Sequence, residues 1–211
     1  FIAIFFTLYP IFADHMPGAL WGNMYSIAEA ARAHSMGLDS LIGIPMRVAG
    51  SLLIGFLIYG IILAETGGGK FFINIAESLM GKYRGGPAKV AVLASGFFGM
   101  LSGSPTSNVI TSGSLTIPAM KKAGYSGRYA AAIEACASTG GVLMPPVMGT
   151  VAFIMASFLN LPYSEILFAA LIPGIIFYIA LIIQTDLYAA KNNLKGMELN
   201  NIPKLFPTII W

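Results

Sequence analysis

The chain has 211 residues, 56% of them hydrophobic and 10% charged, with a formal net charge of +3 and a mean hydropathy of +0.77. That balance excludes a soluble domain and points to an integral membrane protein whose excess Lys and Arg sit in cytoplasmic loops. No basic stripe with interleaved aromatics marks a nucleic-acid groove. A lone Cys136 with only His15 and His34 permits neither an internal disulfide nor a Cys/His metal cluster.

Residues 1–47 read as the end of a membrane helix, Phe1–Phe12, closed by Asp14, His15, Pro17 and Gly18, followed by an amphipathic interfacial helix over Ser26–Leu38. Opening on an apolar run too short to span, and stopping at Trp211 as apolar residues resume, the chain reads as an internal fragment. Residues 48–89 carry a transmembrane helix, Val48–Ala64, bracketed by Arg47 and Glu65, and then an amphipathic arm with Phe71, Phe72, Ile75, Leu79 and Met80 at helical spacing. The arm's aromatic stripe reads as packing. Thr66-Gly67-Gly68-Gly69-Lys70 is not a phosphate loop, because Phe71 follows the lysine where Ser or Thr is needed and the glycine spacing is wrong.

Residues 90–120 are free of charge yet contain Ser102-Gly103-Ser104-Pro105-Thr106-Ser107-Asn108. A re-entrant hairpin is predicted, with limbs Val90–Leu101 and Val109–Met120 of about 12 residues, or roughly 18 Å each. Lys82, Arg84 and Lys89 before it and Lys121, Lys122 and Arg128 after it make both feet basic, which places both in the cytoplasm. Residues 121–160 form a discontinuous transmembrane helix divided by Ser138-Thr139-Gly140-Gly141-Val142-Leu143-Met144-Pro145-Pro146. Residues 161–190 return through the membrane over Ile166–Thr185, kinked at Pro173-Gly174, and residues 191–211 are a linker and the start of the next segment. The turn at Asn160–Glu165 carries only an acidic charge and belongs outside.

Two interrupted elements at mid-membrane depth are how secondary transporters build binding sites: half-helix amino ends face anions, while unwound carbonyls and hydroxyls wrap a small cation. Ser102, Ser104, Ser107, Asn108, Thr139 and the backbone at Gly140 and Gly141 offer neutral oxygens without a carboxylate, which favours sodium over proton coupling. Glu134 is the one acid within the spanning tracts and is expected to pair with Lys121, Lys122 or Arg128 rather than to relay protons. Small-residue helix packing is the plainer reading of a Ser-rich tip, and Thr111, Ser112 and Ser114 are read as helix contacts. An intramembrane serine hydrolase with Ser104 as nucleophile lacks a base beside it. A passive scaffold subunit would tolerate Asn108→Ala.

Ser102-Gly103-Ser104, Ser107-Asn108, Ile117-Pro118-Ala119-Met120, Gly124-Tyr125, Ala137-Ser138-Thr139-Gly140-Gly141 and Met144-Pro145-Pro146-Val147-Met148-Gly149, with Met16-Pro17-Gly18 and Gly85-Gly86-Pro87-Ala88-Lys89, resemble the large membrane subunit of tripartite ATP-independent periplasmic (TRAP) transporters, closest to the fused permeases that work with TAXI-type binding proteins. The resemblance covers nearly the whole chain. It implies an all-α, multi-pass inner-membrane permease of elevator type, sodium-coupled and without other cofactors, that imports a small organic anion delivered by an extracytoplasmic TAXI-type solute-binding protein. About one inverted repeat is present, so the remaining half of the permease is a partner alongside the lipid bilayer. By this analogy Ser102, Gly103, Ser104, Ser107, Asn108, Thr139, Gly140, Gly141 and Pro145 form the sodium and substrate site, with Na+ on Ser102, Ser104, Asn108 and Gly140. Pro105 stands where many relatives have serine and supplies no hydroxyl. A divalent-anion/sodium symporter that needs no binding protein shares the architecture and remains the alternative.

Overall fold

The computed structural model describes residues 1–37, 40, 42–50, 54–198 and 202–209, and every regular element among them is helical. The chain divides into two units, 1–53 and 54–211.

In the first unit, α1 (Ile2–Phe12) is followed by two short 3-10 turns, α2 (Ile27–Met36) and α3 (Ile44–Val48). The start of α2 is written in the sequence. Ser26 Oγ accepts from the Glu29 backbone while the Glu29 carboxylate accepts from the Ser26 amide at 2.9 Å, a reciprocal capping box. Leu38, the expected end of that amphipathic stretch, lies outside the described residues.

The second unit begins with α4 (Ile54–Leu63), so the span expected over Val48–Ala64 is described at residues 48–50 and from Ile54 onward. A wide helical turn, Ala64–Gly68, follows, with Gly67 at φ +99°, a conformation that favours glycine. The chain then reverses into α5 (Gly69–Met80). Gly69 lies against Phe98, Ala76 is buried with Val90 and Ala94, and Gly81 approaches Gly86, so α5 runs antiparallel along α6 (Gly86–Ser102). The apolar stripe assigned to an interface is thus covered in part by α6.

The hairpin is α6 and α7 (Pro105–Lys122), joined at Gly103 and Ser104. Its limbs have 17 and 18 residues, longer than the charge-free tract suggested. Charges do not end these helices. Lys89, only 7% exposed, is carried inside α6 because its Nζ donates to Asp186 at 2.6 Å, and Lys121 and Lys122 sit at the C-terminal end of α7, where the helix dipole favours cations.

Next come α8 (Gly127–Gly140), a 3-10 turn at Gly141–Leu143, an irregular stretch with a cis Pro145–Pro146 bond, α9 (Thr150–Leu159) and α10 (Tyr163–Lys191). The expected discontinuous helix is therefore α8 and α9. At 29 residues, α10 is the one helix among the described residues long and apolar enough to cross a membrane by itself, and Phe168, Ile172, Ile176, Ile179 and Ile183 form an exposed apolar strip along it. It continues through Pro173, and the bare face of Gly174 admits Met144, whose Sδ would be 2.8 Å from a Cβ there. A short α11 (Leu205–Ile209) follows.

Small side chains let these helices close up. Ala88, Ala91 and Val92 of α6, Ala130, Ile133 and Ala137 of α8, and Tyr178 of α10 form the main core with Met120 and Tyr125. At its base, Asp186, just past the uncharged 166–185 stretch, accepts from Arg84 as well as Lys89, and these two bonds hold its carboxyl down at about 2. Because the folded value is depressed from 3.8, this contribution is present above about pH 4 and is lost as pH falls through about 2. Asp186→Asn strands the buried Lys89 ammonium and is expected to destabilise the full-length protein by about 1–3 kcal/mol, read as a lower melting temperature in detergent at pH 7.

Candidate site where the hairpin tip meets the helix break

The tip and the break are held together by backbone. Val147 N donates to Met100 O at 3.0 Å, tying the irregular stretch after α8 to the last turn of α6. Glycines make the approach possible. A Cβ at Gly99 would lie 2.6 Å from Gly141 Cα, and one at Gly103 would lie 2.3 Å from Met148 O. Gly103 also takes φ +58°, closing α6 with its amide on Gly99 O, while Ser104 Oγ accepts from Ser107 N to open α7, whose first residue is Pro105. The break has its own supports. Gly149 N donates to Val142 O at 2.9 Å, and Tyr163 Oη lies 2.8 Å from both Pro146 O and Val147 O.

The expected site residues separate into three groups. Gly103, Gly141 and Asn108 meet at the tip–break contact, with Ser102 and Ser104 half-buried beside it. Asn108 is fully buried, its Nδ2 donating to Ser95 O at 2.8 Å and lying where Cβ atoms on Gly99 and Gly141 would collide with it or touch it. Its amide braces the two limbs of the hairpin. Ser107 and Thr139 are exposed, and the Thr139 hydroxyl donates to Ala135 O on its own helix. Gly140 is packed on Phe177, whose ring leaves no room for a side chain, and Pro145 is buried within the break.

Glu134 does not pair with Lys121, Lys122 or Arg128, which are all exposed. Arg128 lies about 9 Å back along α8 at 1.5 Å per residue, and the glutamate instead points into the hairpin. There it accepts from Ser95, Ser112 and Thr116, with Ser138 Oγ at 3.4 Å. Ser112, read from sequence as a helix contact, is thus a central hydrogen-bonding group. The signal was available on one helix: Asn108, Ser112 and Thr116 recur at intervals of four and so share one face of α7.

Residues 1–209 match the family model described as tripartite ATP-independent periplasmic transporter, DctM component. The chain is 28% identical over 200 residues, 93% of its length, to an isethionate TRAP transporter permease protein of Oleidesulfovibrio alaskensis. It is 35% identical over 144 residues, 68% of its length, to a C4-dicarboxylate TRAP transporter large permease protein of Vibrio cholerae, and 33% identical over 169 residues, 80% of its length, to a sialic acid TRAP transporter permease protein of Haemophilus influenzae. It spans 31%, 31% and 26% of those three relatives' own lengths. These relatives are transport permeases, not enzymes, and Ser104, the hydrolase candidate, serves as a helix cap.

Gly99→Ala and Gly103→Ala are expected to push the tip off the break and lower the melting temperature of the full-length protein. The left-handed backbone alone costs roughly 1–2 kcal/mol at position 103. Ser114→Ala, at an exposed position on the same hairpin, is expected to stay within about 0.5 kcal/mol of wild type.

Proposed function

The chain belongs to the DctM-component family of tripartite ATP-independent periplasmic transporters, and from that membership we propose that it forms part of the inner-membrane permease of a sodium-coupled system importing a small organic anion. The solute arrives on an extracytoplasmic binding protein of the TAXI type. The observation that carries this reading is the docking of the hairpin tip on the helix break through Val147 N and Met100 O, since paired interruptions inside a membrane fold supply the freed backbone groups and hydroxyls a cation and an anion require.

Within that site we assign the sodium to the oxygens of Ser102 and Ser104 and to the carbonyl of Gly140, with Gly103, Gly141 and Pro145 shaping the floor. Asn108 positions the tip from within the packed layer. Ser107, exposed in the first turn of α7, is assigned to the solute, while Thr139, turned onto Ala135 O, is left out of the site. A carboxylate or related anion suits the amino end of α7, which carries partial positive charge. The relatives' names accord with such a solute, since isethionate, C4-dicarboxylates and sialic acid are all organic anions. Movement of the hairpin-bearing part against a fixed scaffold, as in an elevator, is the transport step this reading implies.

The test is uptake of labelled organic anions into proteoliposomes holding the full-length permease. Uptake is expected only with both the binding protein and an inward sodium gradient, and Ser104→Ala is expected to raise the sodium concentration needed for half-maximal rate. Equal uptake without the binding protein would favour the stand-alone symporter, and equal uptake in potassium would remove sodium from the account.

A further inference from the structure

One layer below the tip lies a group the proposed site does not use. Glu134 is fully buried, and both its oxygens are met by hydroxyls: Ser95 Oγ at 2.6 Å and Ser112 Oγ at 2.5 Å from Oε1, and Thr116 Oγ1 at 2.5 Å from Oε2. Gly113 permits this fit, since a Cβ there would lie 3.1 Å from Glu134 Cγ. Among the described residues no Lys, Arg or His forms an ion pair with the carboxyl. A buried carboxylate without a cation is costly, and a bound proton removes that cost.

The three short contacts have the length of charge-assisted O–H···O bonds, so hydroxyl donors hold the carboxyl on both oxygens.

The cage also satisfies both protonation states. When Glu134 is ionised, the three hydroxyls donate to it. When it is protonated on Oε1, it donates to Ser112 Oγ; the Ser112 hydroxyl then turns to Asn108 O at 2.7 Å, while Ser95 still donates to Oε1 and Thr116 to Oε2. Gain or loss of one proton, with rotation of the Ser112 hydroxyl, interconverts the two, and neither state leaves an oxygen of the carboxyl without a partner.

There is a route in. A cavity of about 220 Å3, lined by Lys70, Ala94, Phe98, Thr111 and Ser112 among others, reaches the back of the cage. Ser112 belongs to both.

We propose that Glu134 is a proton-binding site inside the hairpin, loaded through Ser112. A hydronium in the cavity gives a proton to Ser112 Oγ as the Ser112 hydroxyl passes its own to Glu134 Oε1, which leaves water, an intact serine and a neutral carboxylic acid. Release runs the same steps backwards. The other charged or titratable groups around the cage are engaged elsewhere or turned outward. Lys89 of α6 holds Asp186 of α10, Tyr178 of α10 donates to Ala137 O, and Lys121 and Lys122 of α7 and Arg128 and Cys136 of α8 are exposed. Lys70 of α5 lines the cavity without being hydrogen-bonded to the carboxyl. The occupied site closes α7 onto α8 without a buried charge.

This inference does not rest on sodium coupling or on the solute, so its test uses neither. Infrared difference spectra of the full-length permease in detergent, acid minus alkaline and without sodium, are expected to contain a carboxylic C=O band that Glu134→Gln abolishes. Ser112→Ala, which keeps the carboxyl but removes one partner, is expected to shift that band. A difference spectrum that Glu134→Gln leaves unchanged means the carboxyl never exchanges a proton, and overturns the proposal. If Glu134→Gln does not fold, 13C-glutamate labelling of the wild type and of Ser112→Ala decides: a glutamate band moved by the serine change supports the site, and the lack of one overturns it. A permease that proved indifferent to sodium would leave these spectra as they are.

Discussion

Amides and carbonyls freed where a helix ends need partners, and here an amide of one interruption finds a carbonyl of the other. The Val147–Met100 hydrogen bond joins the end of α6 to the gap between α8 and α9, and the bare backbones of Gly99, Gly103 and Gly141 bring the two segments close enough for it to form. Much of the second unit supports that contact. Asn108 braces the limbs beneath it, Tyr163 holds the break from α10, and the Asp186 pair with Lys89 and Arg84 anchors the opposite end of the hairpin.

The polar residues of the hairpin divide by depth. Ser102 and Ser104 are half-buried at the tip, where helix ends leave oxygens available to a ligand. Asn108, Ser112 and Thr116 descend one face of α7 into the layer where Ser95 and Glu134 meet them, and there the polar groups bond one another. A cation at the tip and a proton in the layer beneath it would both act on α7. Asn108, whose side chain bonds Ser95 O and whose backbone carbonyl accepts from Ser112, is the physical link between the two levels.

What could be read from the sequence was whatever local chemistry enforces. Gly103 with Pro105 marked the turn and Ser138 through Pro146 marked the break, because the glycines and prolines in each fix backbone geometry by themselves. The lengths of the hairpin limbs were not legible, since Lys89 looks like a boundary until Asp186, 97 residues later, is placed beside it. The partners of Glu134 were hidden for the same reason: the nearby basic residues are close in sequence, but its hydroxyls come from α6 and α7. Thr139 sits in the expected motif, yet the pitch of α8 turns it outward onto Ala135 O.

The central claim is that the docked tip and break hold a coupling cation. Its most direct test is the melting temperature of the full-length permease in detergent, titrated with sodium against potassium and choline at constant ionic strength. A ligand bound only to the folded state adds about 2.7 kcal/mol at a hundredfold excess over Kd, so the account predicts a saturable, sodium-specific rise that Ser102→Ala and Ser104→Ala reduce. Identical melting in all three salts would contradict it.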